Sequence, residues 1–282
     1  MAHFIPFKGY HPLAKNAGAI AIDSFDNYSA EDISEILKNN SQSFINIIHK
    51  PSTTHLKDFY IQVRQRFNNF VNNEWLIPSE QNSYYIYKKT VEHKTYTGII
   101  GLTDIRDLQK GIIKLHEQTF PKRENILTQY LKEVQLNSEP VALIYEKQNA
   151  LSLFIQEYTQ NTPPLLQFKD KNTHALWEIN KENDLHLIQQ EIAKIDYLLV
   201  ADGHHRIMSS LKNFESNSNA PYFLSILFDN ENVSIEPYSE GGKKYSFEEI
   251  KAITSQNQLL PPKSTWILPK LKTGLIVYDL KK

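Results

Sequence analysis

Tyr197-Leu-Leu-Val-Ala201 is an unbroken apolar run of strand length that stops abruptly at Asp202-Gly203. A run without polar alternation has no face to give to water, so it belongs inside a sheet covered on both sides. Ile207, Met208, Leu211 and Phe214 follow at helical spacing straight after the turn. A buried strand, a glycine turn and an amphipathic helix in succession require layers. The expected fold class is therefore α/β or α+β, a mixed sheet flanked by helices.

The rest of the chain supplies the partners. Ser29-Ala-Glu-Asp32 is a capping-box pattern that opens a helix through Ile33, Ile36 and Leu37. Leu56, Tyr60, Val63, Phe67 and Phe70 mark a longer amphipathic helix. Ser83–Val91 and Thr95–Leu102 read as strands of a hairpin around Glu92-His93-Lys94. Thr103 is placed to cap a short helix ended by Gly111, Arg123–Val134 reads as helix, and Val141–Tyr145 as a short buried strand. Asn161-Thr-Pro-Pro164 is the clearest break. The chain is then one globular unit over 1–282, or two lobes at about 1–160 and 165–282. Beyond the break, Leu165–Lys169, Ala175–Ile179, Tyr222–Phe228 and Leu275–Leu280 are expected strands. Leu185, Ile188, Ile192 and Ile195 form a helical face, and Ser246-Phe-Glu-Glu249 is a second capping box.

Composition removes several kinds of chemistry. With no cysteine, the chain has no disulfide, no Cys-ligated zinc or iron–sulfur cluster and no thiol nucleophile. A formal net charge of −1 gives no general attraction to nucleic acid or to an anionic membrane. No window approaches the ~18 consecutive apolar residues of a membrane span. Met1–Pro12 lacks the apolar core of a secretory signal, so the expected location is cytoplasmic. Only five basic residues are arginine: Arg64, Arg66, Arg106, Arg123 and Arg206. Where lysine is the default, an arginine suggests a use for its planar fork.

Arg206 stands in the one motif that looks chemical, Asp202-Gly203-His204-His205-Arg206. Gly203 permits a sharp turn and close backbone approach. The helix start beyond it offers unpaired N–H groups and the positive end of the dipole to an anion such as phosphate. Arg206 can grip that anion bidentately, while His204 and His205 add donors or a general acid. Asp202 can hold magnesium or orient a histidine. Cationic side chains are poor choices at a helix start, which favours an anionic ligand over a plain solvated turn.

Two further patterns are weaker. Lys114-Leu-His116-Glu117 puts a cation, an imidazole and a carboxylate together, enough for acid–base work in a cleft, but alone it better describes a charged surface loop entering a helix. It lacks the second histidine of a zinc-protease helix. Pro262-Lys263-Ser264-Thr265 is a stiff turn presenting groups that suit phosphate or plain solvent. No Gly-rich phosphate loop of either standard type is present.

These residues resemble a widespread prokaryotic family known as domain of unknown function 1015. The resemblance takes in Ile5-Pro-Phe-Lys-Gly9, Ser24-Phe-Asp26, Asn40–Phe44, Tyr84–Tyr87, Gly98–Gly101 and Gly111–Glu117. Asp202–Arg206 is its most specific element, and Pro262–Thr265 closes it. The Asp-Gly-x-His-Arg element in turn looks like the phosphate-binding turn of the ParB/sulfiredoxin-like superfamily, which includes a free-serine kinase. That likeness implies nucleotide phosphates, with magnesium, at Asp202, His205 and Arg206, and backbone access at Gly203. It assigns no role to Lys114, His116 or Glu117. Sulfiredoxin chemistry is excluded, because its cysteine position is His204 here. Family members are usually longer after the Asp202–Arg206 helix. A His-Arg pair expected beyond the Phe223–Phe228 strand is replaced here by Ile235-Glu-Pro-Tyr238.

The reading that follows is a phosphotransferase using ATP or ADP with Mg2+ on a small hydroxyl-bearing metabolite. Its site draws Asp202, Gly203, His204, His205, Arg206, Lys114, Lys263, Ser264 and Thr265 to the nucleotide. Asp202 takes the metal, and Glu117, His116 and His205 carry catalysis. The alternatives are a nucleotide-binding or scaffold protein without turnover, and a metal hydrolase built on His116, His204, His205 and Asp202. The expected partner in every case is a small anionic or phosphorylated ligand.

Overall fold

Leu198–Asp202 is a strand, and its first four residues are all buried. Leu198 and Val200 join one apolar cluster while Leu199 and Ala201 join another, so each face of the strand is covered. The computed structural model describes residues 1–219, 221–237, 245–256, 258–259, 264–267 and 271–281, with 234–237 and 264–267 as backbone only.

The described residues form a nine-stranded mixed sheet. From one edge its order is Ile113–Lys114, Leu198–Asp202, Val141–Tyr145, Tyr222–Asp229, Lys94–Asp104, Tyr84–Val91, Thr173–Ile179 and Leu166–Lys169, with Phe4–Ile5 beside Lys94–Asp104. Two neighbouring pairs run parallel: Leu198–Asp202 with Ile113–Lys114, and Tyr222–Asp229 with Val141–Tyr145. Strands from both sides of Asn161–Pro164 share this sheet, since Thr173–Ile179 pairs along Tyr84–Thr90.

Helices cover both faces. Asn149–Asn161, Glu182–Ala193 and His204–Ser216 bury Leu151, Ile155, Ile188, Ile192 and Ile207 on one side. Phe247 and Ile250 of Phe247–Ser255 pack on the other, with Phe7, Leu275 and Ile276. The tyrosine-rich strand shows the cost of burial on both faces. Tyr84, Tyr85 and Tyr87 are fully enclosed, and each hydroxyl is bonded: Tyr84 donates to the Phe4 carbonyl, Tyr85 meets Ser79 Oγ and Tyr87 meets His174 Nδ1. A third apolar cluster lies under Leu56–Asn72, beside a four-stranded sheet of Leu76–Pro78, Gly9–Pro12, Val277–Asp279 and Leu136–Asn137.

Both capping boxes form, at Ser29/Asp32 and Ser246/Glu249. Three local expectations are corrected. The hairpin turn is Glu92-His93, because Lys94 already pairs with Val91 and Glu92 takes the positive φ the tight loop needs. Thr103 stays in its strand, where its hydroxyl meets Ser225 in the core, and Asp104 instead accepts the Arg106 N–H ahead of the one-turn helix Arg106–Gln109. The last strand is only Val277–Asp279, since Leu275 and Ile276 serve the core below the sheet.

Away from the Asp202 turn, the fold encloses a second charged cluster. Lys272, only 6% exposed, binds Asp23 at 3.0 Å and Asp170 at 2.6 Å. It ties the C-terminal segment to the loop after Ala17–Ile20 and to the Leu166–Ile179 hairpin. His174 completes the cluster at 3.1 Å from Asp170.

Candidate functional site

The parallel pairing of Leu198 with Ile113 and Leu199 with Lys114 makes both segments leave the same edge of the sheet. One continues into His116 and Glu117, the other into Gly203 and His204. The chain reverses at Gly203 in the left-handed region, φ 97°, where a side chain is strained. A Cβ there would also lie 3.0 Å from Arg206 Nε. Gly203→Ala is therefore expected to lower stability by about 1–2 kcal/mol and to displace the arginine; chemical denaturation checks the first effect.

The turn brings three of the expected residues together. His204 and His116 are buried, with ring centroids 4.5 Å apart and His204 Nε2 3.2 Å from His116 Nδ1. Glu117 faces both rings: one carboxylate oxygen lies 3.7 Å from His116 Nε2, the other 3.6 Å from His204 Nδ1. Its side chain is 53% exposed, so a half-solvated carboxylate sits on a buried imidazole pair. Burial pulls His116 down to about 4. Burial, reinforced by the other histidines and Arg206, holds His204 well below the ordinary histidine range. Both are neutral at pH 7, which removes the repulsion between a charged histidine and the helix dipole. Glu117 moves the other way, pushed up by desolvation and then by the charge of Asp202.

Arg206 is engaged within the fold. Its Nη2 donates to Asp202 Oδ2 at 2.7 Å and its Nη1 to the Pro140 carbonyl at 2.8 Å, with Glu139 Oε2 3.8 Å away. A bare anion gripping this fork would have to displace Asp202. The guanidinium is thus set among carboxylates, with Glu117 also close enough to feel Asp202.

The other expected residues lie elsewhere or are only partly described. His205 turns away from His204; its Nε2 accepts the Phe120 N–H at 3.1 Å and its ring stacks on Phe120. Lys114 lies in the edge strand beside Leu199, its ammonium 3.5 Å from where a Gly111 Cβ would stand. Ser264 and Thr265 belong by backbone to a two-stranded ribbon with Ser234–Pro237, and Lys263 lies outside the described residues. No three His, Asp or Glu side chains among the described residues converge as a metal cage. The His116, His204, His205 and Asp202 set proposed for a hydrolase is therefore not assembled, because His205 diverges. Sequence reasoning missed Phe120, Glu139 and Pro140. The last two directly precede the strand Val141–Tyr145 that neighbours Asp202, a proximity only the pairing reveals.

Residues 4–239 match the family described as Protein of unknown function (DUF1015). The chain belongs to that family. The match includes the His116-Glu117 and Asp202–Arg206 segments of this DUF1015 chain and ends before Pro262–Thr265. No curated protein and no solved structure matches it. No helix among its described residues is long and apolar enough to cross a membrane.

Proposed function

We propose that the chain transfers a phosphoryl group from ATP or ADP to a hydroxyl of a small metabolite, with Glu117 as general base. One observation carries this reading: a half-exposed carboxylate with a raised pKa lies over two neutral imidazoles beside a helix start at Gly203 that no side chain caps. Glu117 takes the proton as the hydroxyl oxygen attacks phosphorus; the new O–P bond forms and the bond to the departing nucleotide breaks. Phosphoryl transfer is largely positioning and charge stabilisation, so few groups suffice. The N–H groups at the start of His204–Ser216 receive phosphate oxygens, and Arg206 orients them from the Asp202 side.

The carboxylates around Arg206 favour a phosphate that arrives with its cation. Magnesium binds through one or two carboxylates plus substrate phosphates, and Asp202 supplies a donor of that kind. When bound, it would neutralise phosphate charge. Glu117 stays the base.

Calorimetry with ATP, ADP and pyrophosphate, each with and without magnesium, tests the site. Arg206→Ala is expected to weaken MgATP binding roughly 10- to 100-fold, the worth of a charge-assisted hydrogen bond. Unchanged affinity overturns the phosphate assignment. Binding without turnover, followed by phosphorus NMR with a metabolite mixture, would make the chain a nucleotide-binding protein without catalysis.

A further inference from the structure

Phe120 is 70% exposed, an unusual place for a large apolar ring. Its backbone and one face of its ring nevertheless have defined partners. Pro121 follows it and restricts its backbone to the extended region, where it sits at φ −98°, ψ 120°. Its N–H donates to His205 Nε2, and its ring lies on the His205 imidazole at 5.8 Å between centroids and 16° between planes. One face of the ring is backed by imidazole while the residue stays open to solvent. His205 is the second residue of the helix that begins beyond Gly203, so the platform stands on the first turn of that helix although its imidazole points away from His204. Phe120 is also three residues beyond Glu117 on the same connection.

We infer that Phe120 is the stacking platform for the base of the phosphate donor. The site would then take a nucleotide in preference to a bare polyphosphate. This deepens the phosphotransferase reading and rests on it. Every nucleobase has a π-face, so stacking supplies affinity that tolerates a change of base. His205 contributes as the lower tier of the stack. It accepts the Phe120 N–H only while neutral, and burial together with the nearby Arg123 charge favours that form.

The test compares MgATP with magnesium tripolyphosphate, by calorimetry on the full chain and on Phe120→Ala and Phe120→Trp. Phe120→Ala should weaken MgATP roughly 5- to 150-fold while leaving tripolyphosphate within about twofold, and Phe120→Trp should restore MgATP binding. Circular dichroism melts should be unchanged, because the ring is exposed. Equal loss for both ligands, or no loss for either, overturns the stacking role while leaving the phosphate site standing. If neither ligand binds the unaltered chain, the phosphotransferase reading falls, and the platform with it.

Discussion

Glu117→Gln is expected to lower turnover by about 10²- to 10⁴-fold while MgATP affinity holds, since the change removes a proton acceptor and preserves the shape of the side chain. Single-turnover assays beside calorimetry separate the two. The pH profile gives a sharper check. A base works deprotonated, so the rate must fall as pH drops through the Glu117 pKa, which desolvation and the Asp202 charge hold above the ordinary 4.5. Asp202→Asn removes one of those causes. In the magnesium-free chain, where no cation masks the Asp202 charge, it should move the Glu117 carboxyl titration, followed by NMR, to lower pH. The neutral imidazoles support this role from beneath. With His116 lowered to about 4 and His204 held well down, neither offers a competing positive charge that would pull Glu117 back towards ordinary acidity.

Lys272→Met should destabilise the fold by about 3 kcal/mol. Removing one partner of a buried ion pair costs roughly 3–5 kcal/mol, and the lower end applies because Asp23 and Asp170 keep 27% and 34% of their side-chain exposure. At roughly 2–3 °C per kcal/mol for a chain of this length, the melting midpoint drops by about 6–9 °C. The sign of the pH dependence is fixed by the same geometry. Asp23 and Asp170 sit below their ordinary 3.8 with Lys272 as partner, so their contribution is present above that value and is lost as pH falls through the folded pKa. Lys272 is raised above 10.5, so its contribution holds below that value and is lost at still higher pH. The difference in stability between the chain and Lys272→Met should therefore be largest between about pH 4 and 10 and shrink in acid. A constant difference across an acid titration would mean that the lysine stem, not its charge, matters.

Much of the fold could be read locally because its signals are local. The unbroken run at Tyr197–Ala201 could only be a strand covered on both faces, and the two Ser-x-x-Asp/Glu boxes named their helix starts. The histidine cluster was legible only as two separate motifs. His116 and His204 stand 88 residues apart, and nothing in either segment states that Ile113 and Leu198 lie side by side. The partners of Arg206 were illegible for the same reason: Glu139 and Pro140 precede a neighbouring strand and carry no motif. Adjacent residues at a helix start point apart, so His204 became core while His205 supports an exposed ring, and no local pattern said which would be which. The Lys272 cluster gave no sequence signal, since it joins single residues from three distant segments.

The parallel strand pair works as a ruler. Lys114 and Leu199 are fixed opposite each other, and the short leads to His116 and His204 are measured from that mark. Deleting Leu115 would move Glu117 to the buried position and His116 to the half-buried place where Leu115 now packs on the core. A carboxylate would then lie against apolar core where a neutral ring now sits, at a cost of several kcal/mol unless it took up a proton. The spacing Lys-x-His-Glu is thus set by the boundary between dry and wet that the sheet edge draws. The same count of residues, measured from the same strand pair, is what a relative would have to keep to build this cluster again.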